Sequence, residues 1–350
     1  MKTTLRIKLL YLTLFLLLLN ACATTPSAKT SNRELLWPPL PLETRIQWVM
    51  ELNDYQDVGI GKGFWQRVGE FVFGEEESRI RKPYGVYHDD HDRLFVVDVG
   101  ASLIHVMDRE KNEYYTIGDH KKNTLRTPIA VTEDEKENLY LTDAGTGVIY
   151  RYDLVKRELK QFGSFKLERP TGIAYNRVNK LLYVADTAVH QVVVFSLDGM
   201  ERMRIGSRGE KPGQFNYPTD LFVNARGELL VTDALNARIQ IFSSAGVLLR
   251  TVGTVGDAPG FFDKPKGVAV DSEGHIYVCE SLFDTVQIFD EKGRFLLNFG
   301  TTGSEEGELR MPSGIFIDSN DYIYVADTYN KRVQVFKYLN HKSTKGIKAE

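Results

Sequence analysis

Six acidic residues, Asp98, Asp143, Asp186, Asp233, Glu280 and Asp327, each close an apolar run and recur along most of the chain. Carboxylates in that number could hold a divalent cation or move protons. Their recurrence points elsewhere, because a catalytic group is needed once, whereas a group present in every unit serves the scaffold. Placed after a strand and before a turn, each is expected to accept backbone N–H groups or to pair with an arginine of its own unit, such as Arg238 or Arg332. The run His88-Asp89-Asp90-His91-Asp92 has the most metal-like spacing in the chain. Aligned with the other units, it coincides with the polar turns that begin at Asp271 and Asp318, and it is read as a turn. The remaining histidines, His105, His120, His190, His275 and His341, are scattered, and no G-x-S-x-G, H-E-x-x-H or phosphate-loop pattern occurs. Cys279 stands where other units have Val97, Thr142, Ala185, Thr232 and Ala326, which marks a packing position and not a nucleophile. No catalytic, cofactor-binding or metal-binding residue is assigned.

The elements that position these residues form a repeated unit. Each opens on a proline, at Pro83, Pro128, Pro170, Pro218, Pro265 and Pro312, the skeleton of the unit has a small residue two positions later, and the acid follows 15 or 16 residues after the proline. In the first five units a glycine ends the pattern, at Gly118, Gly163, Gly206, Gly253 and Gly300, so three markers share one period of 42 to 48 residues. Within YIYVAD, Tyr322, Tyr324 and Ala326 share one face and Ile323, Val325 and Asp327 the other, as in a strand. GVAVD, IYVCE, VQIFD and FLLNFG supply four short strands in one unit, separated by polar turns. Four strands per unit of about 45 residues is the pattern of a propeller blade. The expected fold is therefore an all-β, six-bladed propeller over 83–336. Its last unit supplies only three strands, which leaves an open edge. Residues 45–52 (RIQWVMEL), upstream of the first unit, are predicted to close the last blade as its outer strand.

Towards the N-terminus, Lys2, Arg6 and Lys8 precede an apolar run over 9–19 that is too short to span a bilayer and has the form of a signal peptide. The Leu19-Asn20-Ala21-Cys22 that follows resembles the lipobox of bacterial lipoproteins. That resemblance implies a signal peptide over 1–21, acylation of Cys22, and a lipidated tether over 22–43 stiffened by Pro38, Pro39 and Pro41. Ala23, and not an aspartate, follows the cysteine, so in a Gram-negative host the outer membrane is the expected destination. With Cys22 acylated, Cys279 has no disulfide partner. The folded domain is expected over 44–340, with a tail over 341–350. An insertion over 53–82 places Phe64, Trp65, Val68, Phe71 and Val72 at helical spacing, predicting a short amphipathic helix packed on the domain. Loss of the three leader bases takes the formal net charge from −3 to −6, which argues against nucleic acid or an anionic membrane as partner.

ADTYNKRVQVF, TDALNARIQIF and the linkers GSRGEKPGQFNYP, GTVGDAPGFFDKP and GTTGSEEGELRMP resemble NHL repeats. The match is close in units four to six, visible in ADTAVHQVVVF of unit three, and worn in VDVGASLIHVM and TDAGTGVIYRY. The resemblance implies a six-bladed propeller. Some six-bladed relatives are enzymes that hold a metal at the ends of the inner strands. The corresponding positions here are read as His88, Thr132, Asn176, Asn224, Asp271 and Asp318, with no converging set of three histidines. The expected function is a membrane-anchored, extracytoplasmic binding or scaffold module for a protein or other envelope ligand. The alternative is an extracytoplasmic metal-dependent hydrolase or lyase with its site at the channel mouth. The long links 207–217, 254–264 and 301–311 share one face, called here the link face, with the turns after the second strands. Phe261, Phe283 and Tyr329 are its candidate contact residues. The insertion 53–82 is expected on the same face, and the tether is expected to leave from the opposite, plain face.

Overall fold

The computed structural model describes residues 34–61, 79–118 and 124–340. Six antiparallel sheets follow one another in chain order, and each blade runs from an innermost to an outermost strand. In blade one these are Pro83–His88, Arg93–Asp98, Leu103–Asp108 and Glu113–Ile117. The middle strands are covered on both faces by neighbouring blades, so Arg93–Asp98 and Leu103–Asp108 are buried throughout. Outer strands such as Leu248–Val252 face solvent at alternate positions. That difference explains why the second and third runs of each unit read as nearly continuous apolar sequence while the fourth alternates.

The core is not central. It consists of six clusters, one between each pair of successive blades; Phe299 and Phe336, for example, meet between blades five and six. The glycine that ends the fourth strand belongs to this packing. Gly253 has φ +82°, and a Cβ built there would lie 2.1 Å from the Phe262 ring, so the link can fold back over the strand only if that residue has no side chain.

The predicted closure is present. Ile46–Leu52 pairs antiparallel with the third strand of blade six, Arg332–Tyr338, with Ile46 opposite Tyr338 and Leu52 opposite Val333. Trp48 Nε1 donates to Gln334 Oε1 at 2.9 Å, and Arg332 pairs with Glu51. One further strand, Leu36–Trp37, adds outside it, making blade six five-stranded. The proline-rich stretch read as spacer is thus the turn of a hairpin, held by a bond from Arg45 N to Trp37 O at 2.8 Å, while Trp37 packs on Phe299 and Phe336. This hairpin also corrects the expected route of the tether. The closing strand does start from the plain face, but Leu36–Trp37 runs antiparallel to it, so at Leu35 the chain lies beside Gly307 of the link 301–311.

The insertion does not stay on the link face either. Ile80 N donates to Asn53 O at 3.0 Å there, whereas Gly61 N donates to Asn112 Oδ1 at 3.0 Å, in a plain-side turn of blade one. Between these points Tyr55 is fully buried and stacks on Tyr114 at 4.4 Å, filling the seam between the last blade and the first. The helix expected around Trp65 lies outside the described residues.

Candidate functional site

The six strand-closing acids are scaffold. Asp327 Oδ1 accepts Arg310 N at 2.8 Å, and its Oδ2 accepts from Asn330, Arg332 and Gln334. Those three side chains also hold the long link: Arg332 Nη2 donates to Glu305 O and Glu308 O at 2.7 and 2.8 Å, and Asn330 Nδ2 to Gly303 O at 2.8 Å. Blade four repeats the arrangement with Asp233, Asn236, Arg238 and Gln240. The Asn-x-Arg-x-Gln spacing is therefore a clamp that ties a loop to a carboxylate. In blade one His105 replaces the glutamine and contacts Asp98. Burial alone would raise the Asp98 carboxyl, but His105 and the Arg81 N–H outweigh it and hold the group below its ordinary value.

With the links pinned, their apolar tips are left outward. Tyr217, Leu235, Phe261, Leu282, Met311 and Tyr329 are exposed and all lie on the link face of blades four to six. Phe261 and Tyr329 are 42% and 52% exposed, as their candidacy requires, but Phe283 is half-buried and its neighbour Leu282 occupies the exposed place. On blades one to three the positions equivalent to Leu235, Leu282 and Tyr329 are Gly100, Gly145 and Ala188. Among the described residues the apolar patch therefore covers half of the rim.

The central channel holds the second candidate. The inner-strand ends read as a potential metal ring are displaced in two blades: Asp89 and Asp134, not His88 and Thr132, are the structural equivalents of Asn176, Asn224, Asp271 and Asp318. Each of the six accepts at least one backbone N–H of its own hairpin; Asp318 Oδ1, for instance, accepts Asn320 N and Tyr322 N, both at 2.9 Å. The second oxygens of the four aspartates are engaged as well, that of Asp271 by His275 and Tyr277, and the two asparagines donate Nδ2, to Gly227 O and to Glu228. A side chain that closes a turn in this way is not available to converge on an ion. Among the described residues no three His, Cys, Asp or Glu side chains are grouped to hold a metal.

Inside that ring lies a chamber of about 480 Å³, lined by Tyr87, Glu133, Arg177, Asp220, Phe222 and Phe316 among others. Arg93, buried at the seam of blades one and two, pairs with Asp89, with Glu133 at 2.9 Å and with Glu137 at 2.8 Å. Burial and the neighbouring Asp89 push the Glu133 carboxyl up to about 8. Arg177 pairs with Asp90 at 2.9 Å on the plain rim. Asp220 has no such partner; burial pushes it up to about 7, and its Oδ2 accepts Val268 N at 3.1 Å. Cys279 is fully buried between blades five and six, and burial pushes its thiol well up, so it packs and does not react.

A family model for the NHL repeat matches residues 167–195 and 309–336, which are the end of one link with the first three strands of blade three, and the corresponding part of blade six. The chain is a six-bladed β-propeller that carries NHL repeats at these two places. Among solved structures it is similar to a protein of unknown function and to an auxiliary nutrient binding protein, both from Bacteroides thetaiotaomicron. Each is 14% identical with a TM-score of 0.61, and the likeness covers 75% and 74% of this chain and 70% and 69% of theirs. Virginiamycin B lyase from Staphylococcus aureus, in a catalytically inactive form with quinupristin, is 15% identical with a TM-score of 0.57 over 75% of this chain and 97% of its own. At such identities the likeness is one of fold. Within this NHL propeller the rim candidates were legible as apolar residues in links. Asp220 was not picked out, although one signal was present: it occupies the small-residue position two after Pro218.

Proposed function

We propose that the protein is a membrane-anchored, extracytoplasmic NHL propeller that binds a protein of the cell envelope through the link face of blades four to six. The observation that carries this reading is that, among the described residues, Tyr217, Leu235, Phe261, Leu282, Met311 and Tyr329 share one half of the link face, on links and turns held by the Asp-Asn-Arg-Gln clamps of blades four and six and by Glu280 and Gln287 in blade five. Apolar and aromatic tips held in place lose little conformational entropy on docking and supply the buried centre of an interface. The signal peptide, the lipobox-like Cys22 and the negative net charge of the remainder support an envelope setting. One structural neighbour is described as an auxiliary nutrient binding protein, which supports binding as a use of this fold.

The test is capture of a partner by cross-linking on intact envelopes, with the full chain as bait. Phe261→Ala combined with Tyr329→Ala should lower capture by about tenfold or more, the range of two rim anchors, with little change in melting temperature. Lys292→Glu, on an exposed plain-face turn, should alter neither. Undiminished capture by the double variant overturns the proposal.

A further inference from the structure

Five of the six inner strands carry glycine or alanine two residues after the opening proline: Gly85, Ala130, Gly172, Gly267 and Gly314. The reason is steric. At this level the inner strands approach one another most closely, and a Cβ built on Gly267 or Gly314 would lie 2.5 or 2.4 Å from a carbonyl oxygen of the next blade. Blade four alone places a large polar side chain there, Asp220, whose own backbone faces Gly172 and whose Oδ2 reaches Val268 N of blade five. It lines both the chamber that opens on the plain face and a small cavity of about 30 Å³ on the link side. It therefore stands at the waist of the channel.

The scaffold makes no use of this carboxylate comparable to its use of the others. The strand-closing acids each tie one or more backbone N–H groups of a link, and those of blades four and six also take arginine, whereas Asp220 accepts only the backbone N–H groups of Val268 and Leu221 and pairs with no cation among the described residues. Elsewhere in the chamber wall Glu133 shares Arg93 with Asp89 and Glu137, Arg177 pairs with Asp90, and Asp318 lies 3.5 Å from His88. Above the carboxylate stand the half-buried rings of Tyr87, Phe222 and Phe316, with Tyr87 and Phe316 in contact at 4.7 Å. The volume lies within the range of small-molecule sites. Asp220 is thus a carboxylate with no cationic side chain to answer it among the described residues, at the floor of an aromatic chamber.

We propose that this chamber binds a small organic cation, an ammonium or amidinium group on an apolar or aromatic body, with Asp220 accepting its charged N–H groups and Tyr87, Phe222 and Phe316 enclosing the body. A cation supplies the partner that the fold withholds, in a place where solvent competes weakly. The rings add face-on attraction to the positive charge as well as apolar contact. A neutral or anionic ligand of the same shape would leave the carboxylate unmatched or opposed. This site lies on the opposite side of the waist from the apolar rim and does not depend on the protein partner proposed above.

The experiment is titration calorimetry of the full chain in detergent with benzamidine and phenethylamine, and with phenethyl alcohol and phenylacetate as neutral and anionic controls. Both cations are expected to bind about tenfold or more tightly than the alcohol, the usual worth of a charge-assisted hydrogen bond, and phenylacetate not at all. Asp220→Asn should remove that preference. Asp220→Gly restores the residue type of four other blades, so it tests the same point in a background the scaffold accepts. Phe222→Ala should weaken both cations and the alcohol alike, and Phe261→Ala on the rim should change nothing. Absence of binding, equal binding of cation and alcohol, or a preference that survives both Asp220 variants overturns the assignment. So does displacement of the amines by potassium or calcium at low concentration, which would make the site one for an inorganic ion.

Discussion

At the residue scale the chain sorts its carboxylates by what answers them. Asp327 and Asp233 are answered by their own blade, and Asp98 by His105 and the N–H groups of Arg81 and Lys82. Asp220 is not, and its carboxyl is raised on folding to about 7. A raised carboxyl binds more protons in the folded state than in the unfolded one. It therefore costs no stability below about pH 4, costs progressively more as pH rises to about 7, and a constant amount above that. Asp220→Asn should accordingly stabilise the protein by about 1–3 kcal/mol at pH 8 and leave it unchanged at pH 4. Urea unfolding at the two pH values measures the difference, and an equal effect at both would contradict it. The scaffold role of the repeated acids was legible because repetition itself is informative. Asp220 was not, because its meaning comes from five other residues that are small and from a waist that only the closed ring creates.

At the scale of elements, the period, the strands and the closing segment could all be written down from apolar patterning and turn residues. The hairpin before the closing strand could not. Leu36–Trp37 is two residues long, too short for alternation to show, and its flanking prolines have the composition of a spacer. It forms because Trp37 finds Phe299 and Phe336 at the seam of blades five and six, a site assembled from parts of the chain far downstream. Chains starting at Glu34, Thr44 and Asn53 separate these contributions. The first should melt with the full-length protein, the second a few degrees lower for loss of Trp37 packing, and the third about 10 °C lower or more, because blade six loses its outer strand and the ring its clasp. Equal melting of the first two would show that the added strand contributes nothing.

For the molecule as a whole, the described residues contain no helix long and apolar enough to cross a membrane. Attachment is proposed to rest on Cys22, and Cys22→Ser should move the protein from the membrane fraction to the soluble extract. A variant that stays with the membrane would remove the lipoprotein reading, while leaving the rim and the channel to be judged on their own tests.

The sequence by itself determined the class of fold, the number of blades, the closure of the last blade by an N-terminal strand and the structural duty of the six acids. All of these are local or periodic: each follows from what neighbouring residues can bury and which backbone groups they can satisfy. The tertiary structure alone decided which apolar tips stay exposed, replacing Phe283 by Leu282, and which inner-strand ends are equivalent, replacing His88 and Thr132 by Asp89 and Asp134. It also decided that the insertion crosses the ring between blades and that one aspartate stands at the waist of the channel. Those properties depend on distances between blades, and such distances exist only once residues separated by hundreds of positions have closed the circle.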